Sequence, residues 1–523
     1  MRKLSYISVG LGSIIAIITL LFFFHFTVDD AYIVGRYAEN LAMGNGLVFN
    51  IGEPVSALTS PLHALLATGL FIVTGSSVGA WKIVSLCLVI ISLLALVRRL
   101  WKYPIALIIF VPITFTAAPI WMWSIGGLET GLLLFIVTMM GLVVDGLQKN
   151  PVRNFWLLCI LAGTAVITRY DAVLFAAPVV IVAAWQVRDL KRILPAYIAG
   201  GLITLSWLVF AHTYYGDILP VSFYVKSPTA DPIIVVVNAS YIIIFLILIP
   251  VIPYLLLANV LRRAHRDVPK EYTASHWQDN IVWYGVILGL SLKLLYGLTM
   301  ATTTHMMFSM RFFVPYIPLL AWLVSMYIVR FTSVLNQSSE QRNFLYFVLA
   351  IMWCLPIANS IYTYTTSLNG MNMGEYTDQG LGEYTLILTH TFDRQADIIA
   401  EHWENLEDTP DRLVRINTYV AGLLPYNLRD SYIIEALVSY RHADCGLPRE
   451  TADYISVMAS FLDTPIPDHF ILLDEIIFPA NRALDSSLYY NPSPLPNNMP
   501  PRITDDCLYD VYSEEPPPEL LEN

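Results

Sequence analysis

Residues 11–36 read LGSIIAIITLLFFFHFTVDDAYIVGR. The apolar run of which this is the larger part extends over about 5–26 and then meets two adjacent acids, Asp29 and Asp30. A run of that length is enough for one upright helix across a bilayer, which needs roughly 20 apolar residues. Arg2 and Lys3 precede it. Positive charge stays on the cytoplasmic side, so the chain starts inside and the aspartate pair emerges outside. No small-residue cleavage site follows Phe26, which favours a retained helix over a removed signal peptide.

Further along, apolar runs recur at about 78–98, 103–120, 128–146, 154–168, 172–187, 193–211, 240–260, 281–299, 312–330 and 343–363. With the first, that makes eleven candidate spans. The pair 154–168 and 172–187 also reads as one bent hairpin. Each connection that must then face the cytoplasm is basic: Arg98 to Lys102, Lys149 to Arg153, Arg188 to Arg192, Arg262 to Lys270 and Arg330 to Arg342. Sixteen of the 22 basic residues before position 363 fall inside on this reading. Two further apolar stretches, 31–43 and 61–74, would invert that order if they crossed. They read as helices lying at the outer interface, one opening at the aspartates and closing at Gly44, the other opening at Pro61 and closing at Gly75.

Composition agrees. Of 523 residues, 56% are hydrophobic and 14% charged, against roughly 25% charged in soluble domains. This excludes an ordinary soluble enzyme, a disordered chain and a nucleic-acid-binding surface. The net charge of −11 averages two unlike parts. Residues 1–362 hold 22 basic and 14 acidic residues, a net of +8, whereas residues 363–523 hold 8 and 27, a net of −19. The charge boundary is also the hydropathy boundary and separates a transmembrane domain from an acidic extracytoplasmic domain. The latter alternates helical patches with strand-like runs such as Ile433-Ile434 and Phe470 to Leu473, and closes with Pro-rich stretches at 492–501 and 516–518. Cys87, Cys159 and Cys354 sit in apolar runs and read as small buried hydrophobes, while Cys445 and Cys507 can pair as a disulfide in an oxidising compartment.

The polar residues that gather on the outer face are the place to look for chemistry. Adjacent carboxylates suit a tuned general base or a divalent-cation site, and Asp30 alone suits a helix N-cap. Arg311, Lys226 and Arg169 are placed for a lipid phosphate or for headgroup anchoring. Lys293 lies inside a span, where a charge is costly and usually functional, although it can snorkel to the interface. Glu129 can cap the fourth span, and His212 and His305 stand alone in outer positions. Trp121 and Trp123 suit an interfacial aromatic belt or a surface on which a sugar stacks.

The motifs Asp29-Asp30-Ala31-Tyr32-Ile33, Arg36-Tyr37-Ala38-Glu39-Asn40-Leu41, Gly44 to Asn50, Gly52-Glu53 and Thr59-Ser60-Pro61-Leu62 together resemble the bacterial GT-C glycosyltransferases. The group named most closely is the mycobacterial terminal β-(1→2)-arabinofuranosyltransferases. Gly127-Leu128-Glu129-Thr130, Thr168-Arg169 with Asp171, Tyr214 to Asp217 with Pro220, Tyr224 to Lys226, Arg311-Phe312 with Pro315 and Pro318, and Ala421 to Tyr426 continue the resemblance in order. The resemblance implies a GT-C fold and a polyprenyl-phosphate sugar as donor. It also implies an essential aspartate at Asp29 or Asp30 and phosphate-binding cations at Arg311, Lys226 and Arg169. Arg36, Tyr37, Glu53, Glu129 and Asp171 lie in its motifs and are candidates for the substrate, as are His305, for its outer position, and Lys293, for its charge within a span. The acceptor is a glycan, lipid or protein outside the membrane. No cofactor is required, with a divalent metal at Asp29 and Asp30 as an alternative. Two departures stand out. This chain has Val55-Ser56-Ala57-Leu58-Thr59 where the family has Val-Glu-Gly-Tyr-Thr, and Thr168-Arg169-Tyr170 where the family has Thr-Arg-Pro. Rival readings are a transporter or flippase, an oligosaccharyltransferase-like block transfer, and a binding domain on a membrane anchor. The absence of an internal repeat and the outward clustering of the acids argue against the first.

Overall fold

The computed structural model describes residues 2–225, 281–300 and 311–332, single residues between 343 and 361, and residues 393–404, 414–418, 421–429, 431–434, 454–456, 470–473 and 476–479. The expected span at 240–260, Lys226, His305, Cys445, Cys507 and the Pro-rich stretches lie outside the described residues, as does most of the run 343–363.

The architecture is mostly helical. The first helix, α1 (Arg2–Phe22), is followed by α2 (Asp30–Met43), α3 (Pro61–Thr74) and α4 (Val78–Leu100). Both helices expected at the interface are present: α2 ends on Gly44 at φ 90°, and α3 begins with Pro61 in its first turn, where a missing N–H costs nothing. Next come α5 (Pro104–Thr114), α6 (Ala118–Ile125), α7 (Thr130–Asp145), α8 (Pro151–Thr168), α9 (Val173–Val187) and α10 (Leu190–Tyr215). The short α11 (Val221–Val225), then α12 (Val282–Met300) and α13 (Ile317–Thr332), complete the described bundle. Five of these helices are long and apolar enough to cross a membrane, and the pair α5–α6 makes a sixth. The helices α7 and α13, and the stretch Val282–Tyr296 of α12, are apolar but shorter.

The sequence presents 103–120 as one span, and the structure breaks it. The two halves α5 and α6 meet at a bend of 59°. Pro119 in the first turn of α6 cannot continue a helix from Phe115, because it lacks an N–H and its ring opposes the carbonyl four residues back. Side chains satisfy the freed carbonyls: Thr116 Oγ1 donates to Pro112 O at 2.6 Å and Trp121 Nε1 to Phe115 O at 2.8 Å. The break also carries Trp121 and Trp123 into the interior, so neither belongs to an interfacial belt. The 154–168 and 172–187 runs are two helices, α8 and α9, joined by a one-turn 3₁₀ segment at Tyr170–Ala172.

In the C-terminal part, α14 (Asp393–Glu404) and α15 (Leu423–Asn427) accompany a five-stranded sheet. Its strands are β1 (Val414–Thr418), β2 (Ser431–Ile434), β3 (Tyr454–Ser456), β4 (Phe470–Leu473) and β5 (Ile476–Pro479), in the order β2-β1-β3-β5-β4. β1 runs parallel to both β2 and β3, with Ile416 opposite Ile433 and Tyr454, and β4 and β5 pair antiparallel. One hydrophobic core fills the helical bundle. A second joins the two parts of the chain: Tyr37, Phe49, Leu58, Trp207 and Tyr215 of the bundle pack with Ile399, Ile416, Leu424 and Ile433.

Candidate active site

The aspartate pair hangs from a pinned strap between α1 and α2. Val28 N–H donates to Gly126 O at 3.1 Å. Lys82, on α4, donates to Phe26 O at 3.0 Å, to Thr27 Oγ1 at 2.7 Å and to Phe24 O at 3.4 Å. Its ammonium thus takes up carbonyls that the end of α1 leaves free. Gly127 lies against the strap at φ 85°, and a Cβ there would stand 2.6 Å from that of Ala31.

Asp29 is 9% exposed. Its carboxylate does not cap its own helix. It turns to the C-terminal part instead, where Leu423 N–H donates to Oδ1 at 2.9 Å and Gly422 N–H to Oδ2 at 3.0 Å. Burial pushes its carboxyl up from 3.8 to about 7; the Leu423 and Gly422 amides oppose the rise and the Asp30 charge adds to it. A carboxyl near neutrality with both oxygens oriented by amides is suited to accepting a proton at a fixed place.

Asp30 faces the other way. Its Oδ2 meets Arg311 Nη1 at 3.1 Å. Arg311 is 7% exposed, its guanidinium lies 5.6 Å from the centroids of Trp123 and Phe312, and its Nε has no hydrogen-bond partner. Arg169 also lies over Phe312, 4.4 Å from the ring centroid. Arg169 bonds Glu129 at 2.5 Å and Asp171 at 2.9 Å, and Asp171 also pairs with Lys293 of α12. Lys293 is 1% exposed and so does not snorkel. Three acids, Asp30, Glu129 and Asp171, therefore answer three cations, Arg169, Lys293 and Arg311. Arg169 is committed to two carboxylates, whereas Arg311 keeps a donor unused. Removing one member of a buried ion pair costs about 3–5 kcal/mol. Lys293→Met is expected to cost about 3 kcal/mol, because Asp171 keeps Arg169. Thermal unfolding of purified protein measures it.

Other residues expected at the substrate support the fold. Arg36 is buried and donates from Nε to Phe49 O at 2.9 Å and from Nη1 to Leu428 O at 3.1 Å and Ser431 Oγ at 3.2 Å; it also bonds the carbonyls of Pro425 and Ser431. All three guanidinium nitrogens are thus engaged with oxygens of the protein itself. Tyr37 is fully buried, donating to Val55 O at 2.6 Å and accepting from Ala57 N–H at 2.9 Å. Glu53 accepts from Asn50 Nδ2 at 3.0 Å, and that same Asn50 exchanges both its amide bonds with Ile433. Glu39 accepts from Tyr426 OH at 2.6 Å and Ser77 Oγ at 2.9 Å and pairs with Arg429 at 2.7 Å. So α2 and its following loop are a dock for residues 421–434, and Asp29 is the end of that dock nearest the charged cluster. Sequence reasoning overlooked Lys82 and His63, a buried ring stacked on Trp81, and gave Gly422 no role of its own within its motif. Among the described residues no group of three or more His, Cys, Asp or Glu side chains is placed to hold a metal ion.

No protein-family model matches the chain. The terminal β-(1→2)-arabinofuranosyltransferase of Mycobacterium tuberculosis is 27% identical over 233 residues, 39% of this chain, and the chain spans 35% of that relative's length. The crystal structure of ArnT from Cupriavidus metallidurans in the apo state superposes with a TM-score of 0.52 at 14% identity, covering 91% of this chain and 99% of that one. The same protein bound to undecaprenyl phosphate gives a TM-score of 0.50 at 13% identity, covering 92% and 99%. Sequence and fold thus agree with the resemblance that the motifs carry: the chain is similar to the GT-C glycosyltransferases, with the mycobacterial arabinofuranosyltransferase among its relatives.

Proposed function

We propose that the protein is a multi-pass membrane glycosyltransferase that moves a sugar from a polyprenyl-phosphate donor to an extracytoplasmic acceptor, with inversion at the anomeric carbon. Asp29 removes the proton of the acceptor hydroxyl as its oxygen attacks the anomeric carbon. The bond from that carbon to the phosphate oxygen breaks and its electron pair leaves on the lipid phosphate. A phosphate leaving group needs no general acid, only a fixed cation beside the charge that develops. Arg311 supplies it through the donors it does not use on Asp30, with Lys226 as a second cation. Asp30 holds Arg311 in place and keeps its charge answered before the donor arrives.

The observation that carries this reading is the adjacency of two unlike carboxylates. One is buried, amide-held and raised to about 7, while its neighbour is paired with a buried arginine that has donors to spare. An environment that sets two adjacent acids apart is the usual sign of divided roles. The likeness to a polyprenyl-phosphate-binding fold supports the donor class, and the mycobacterial relative supports a pentofuranose as the sugar. The orientation read from the basic loops supports an outer position for the dock, the charged cluster and the acidic C-terminal part.

The test is transfer by purified protein from a panel of polyprenyl-phosphate sugars, with arabinofuranose, mannose and glucose as the sugars. Turnover of one member is the expected result, and failure with all of them under conditions where the protein stays folded overturns the reading. Arg311→Ala is expected to weaken binding of bare undecaprenyl phosphate at least about tenfold, since charge-assisted bonds to phosphate contribute about 1.5–3 kcal/mol. Titration of wild type and variant in detergent checks it. Retained activity in a metal chelator would dismiss a divalent ion at Asp29 and Asp30.

A further inference from the structure

Two buried polar atoms in the first turn of α3 have no partner: Ser60 Oγ, in a residue with no exposed surface, and His63 Nδ1, in a residue 2% exposed. Serine before a helix ordinarily turns its hydroxyl back to the N–H groups of the first turn. Ser60 does not, and its backbone at φ −137°, ψ 71° carries no side-chain cap. Of the first-turn amides, Ala64 N–H bonds Ser60 O at 3.2 Å, and those of Leu62 and His63 have no acceptor within the helix. A native interior leaves very few such groups unpaired, and two in one turn call for something that pairs them.

The place of this turn says what that is. The His63 ring stacks on Trp81 with centroids 4.1 Å apart, and the Trp81 indole N–H is tied to Leu128 O at 2.9 Å. His63 therefore sits beside the turn that presents Glu129, close enough for the carboxylate to act on the ring. Glu129 in turn feels both Arg169 and Arg311. The turn is thus on the rim of the charged cluster, on its acidic side. An anion there would face Glu129, while the charged partners of Arg169 and Arg311 belong to the cluster and not to this turn. Burial also holds the imidazole down at about 4, so it is neutral at physiological pH and offers no charge to an anion. A hydroxyl is the group that fits, because it donates and accepts at once and satisfies Ser60 and His63 whichever ring nitrogen carries the proton.

We propose that Ser60 and His63 form the subsite for a ring hydroxyl of the donor's sugar, which makes them determinants of which sugar is taken. This rests on the reading under Proposed function. It gives Thr59-Ser60-Pro61-Leu62 a chemical task beyond starting a helix.

The experiment uses the full-length protein and two ligands: the polyprenyl-phosphate sugar of the panel that wild type binds most tightly, and the same lipid phosphate without its sugar. Ser60→Ala removes an oxygen that bonds nothing in the free protein, so its thermal midpoint is expected to stay at the wild-type value. His63→Phe keeps a ring on Trp81 and removes the nitrogens. Each variant is expected to bind the sugar-bearing lipid about tenfold more weakly, with the bare lipid phosphate unchanged within about twofold. Wild-type affinity for both ligands in both variants would overturn the subsite. So would equal weakening of the two ligands, which would make the turn a phosphate seat or a structural support. If wild type binds neither ligand, the transferase reading itself fails and the subsite falls with it. If wild type binds both and the variants do not discriminate, only the subsite fails.

Discussion

Asp29→Asn is expected to lower sugar transfer by at least about 100-fold while the protein still inserts and folds, because a general base of this kind contributes about 10²–10⁴ in rate. In wild type the rate should rise with pH through a limb near 7, where the buried carboxyl loses its proton. The limb should vanish in the variant. Asp30→Asn should instead keep the limb and weaken lipid-phosphate binding, since it releases Arg311. A wild-type rate for Asp29→Asn, or a limb well below pH 5, would move the base from Asp29 to Asp30. The same carboxyl sets a stability trend of definite sign. Its folded value lies above the unfolded one, so its contribution is complete below about pH 4 and is lost as the pH rises to about 7. About three pH units at 1.36 kcal/mol each puts the loss on the order of 4 kcal/mol. Unfolding of wild type should therefore become easier from pH 5 to pH 8, and Asp29→Asn should flatten that slope.

Gly422→Ala is expected to be nearly as damaging, although residue 422 lies far along the chain from the aspartates. A Cβ on Gly422 would stand 2.2 Å from Asp29 O, 2.3 Å from its Oδ1 and 2.4 Å from its Cγ. No side-chain rotation relieves all three contacts, because one is with backbone. Either α15 withdraws and its amides leave the carboxylate, or the strap holding Asp29 shifts. Displacement of a reacting group by about 1 Å costs on the order of 100-fold in rate. The check is kcat against donor binding: kcat should collapse, whereas affinity for undecaprenyl phosphate at Arg311 should change little. Unchanged kcat would show that the dock does not position Asp29.

Much of this arrangement was legible because its signals are local. The bounds of α2 follow from an acid pair and a glycine and those of α3 from Pro61 and Gly75, each set bracketing a helix of 14 residues. Basic loops and the strand-like runs at 433–434 and 470–473 are local too, and the last two are strands β2 and β4. The break between α5 and α6 was hidden, because a single proline barely lowers the hydropathy of a long apolar run and reveals itself only through the bond it cannot make. The roles of Arg36 and Tyr37 were hidden differently. An arginine beside a presumed site looks like a ligand for anions, and only contacts 395 residues away show that Ser431 uses it. Likewise the partner of Lys293 lies 122 residues back, so snorkelling and pairing look alike from the sequence. That Asp29 and Asp30 would differ could not be read from two identical letters. The difference comes from what folds against each.

The second hydrophobic core has a consequence for biosynthesis. The charge break near residue 363 invites expression of the acidic part alone, yet Ile399, Ile416, Leu424 and Ile433 find their cover on Tyr37, Phe49, Trp207 and Tyr215. Severed there, the fragment would carry a bare apolar face and aggregate. The C-terminal part therefore depends for its cover on a bundle that is synthesised before it.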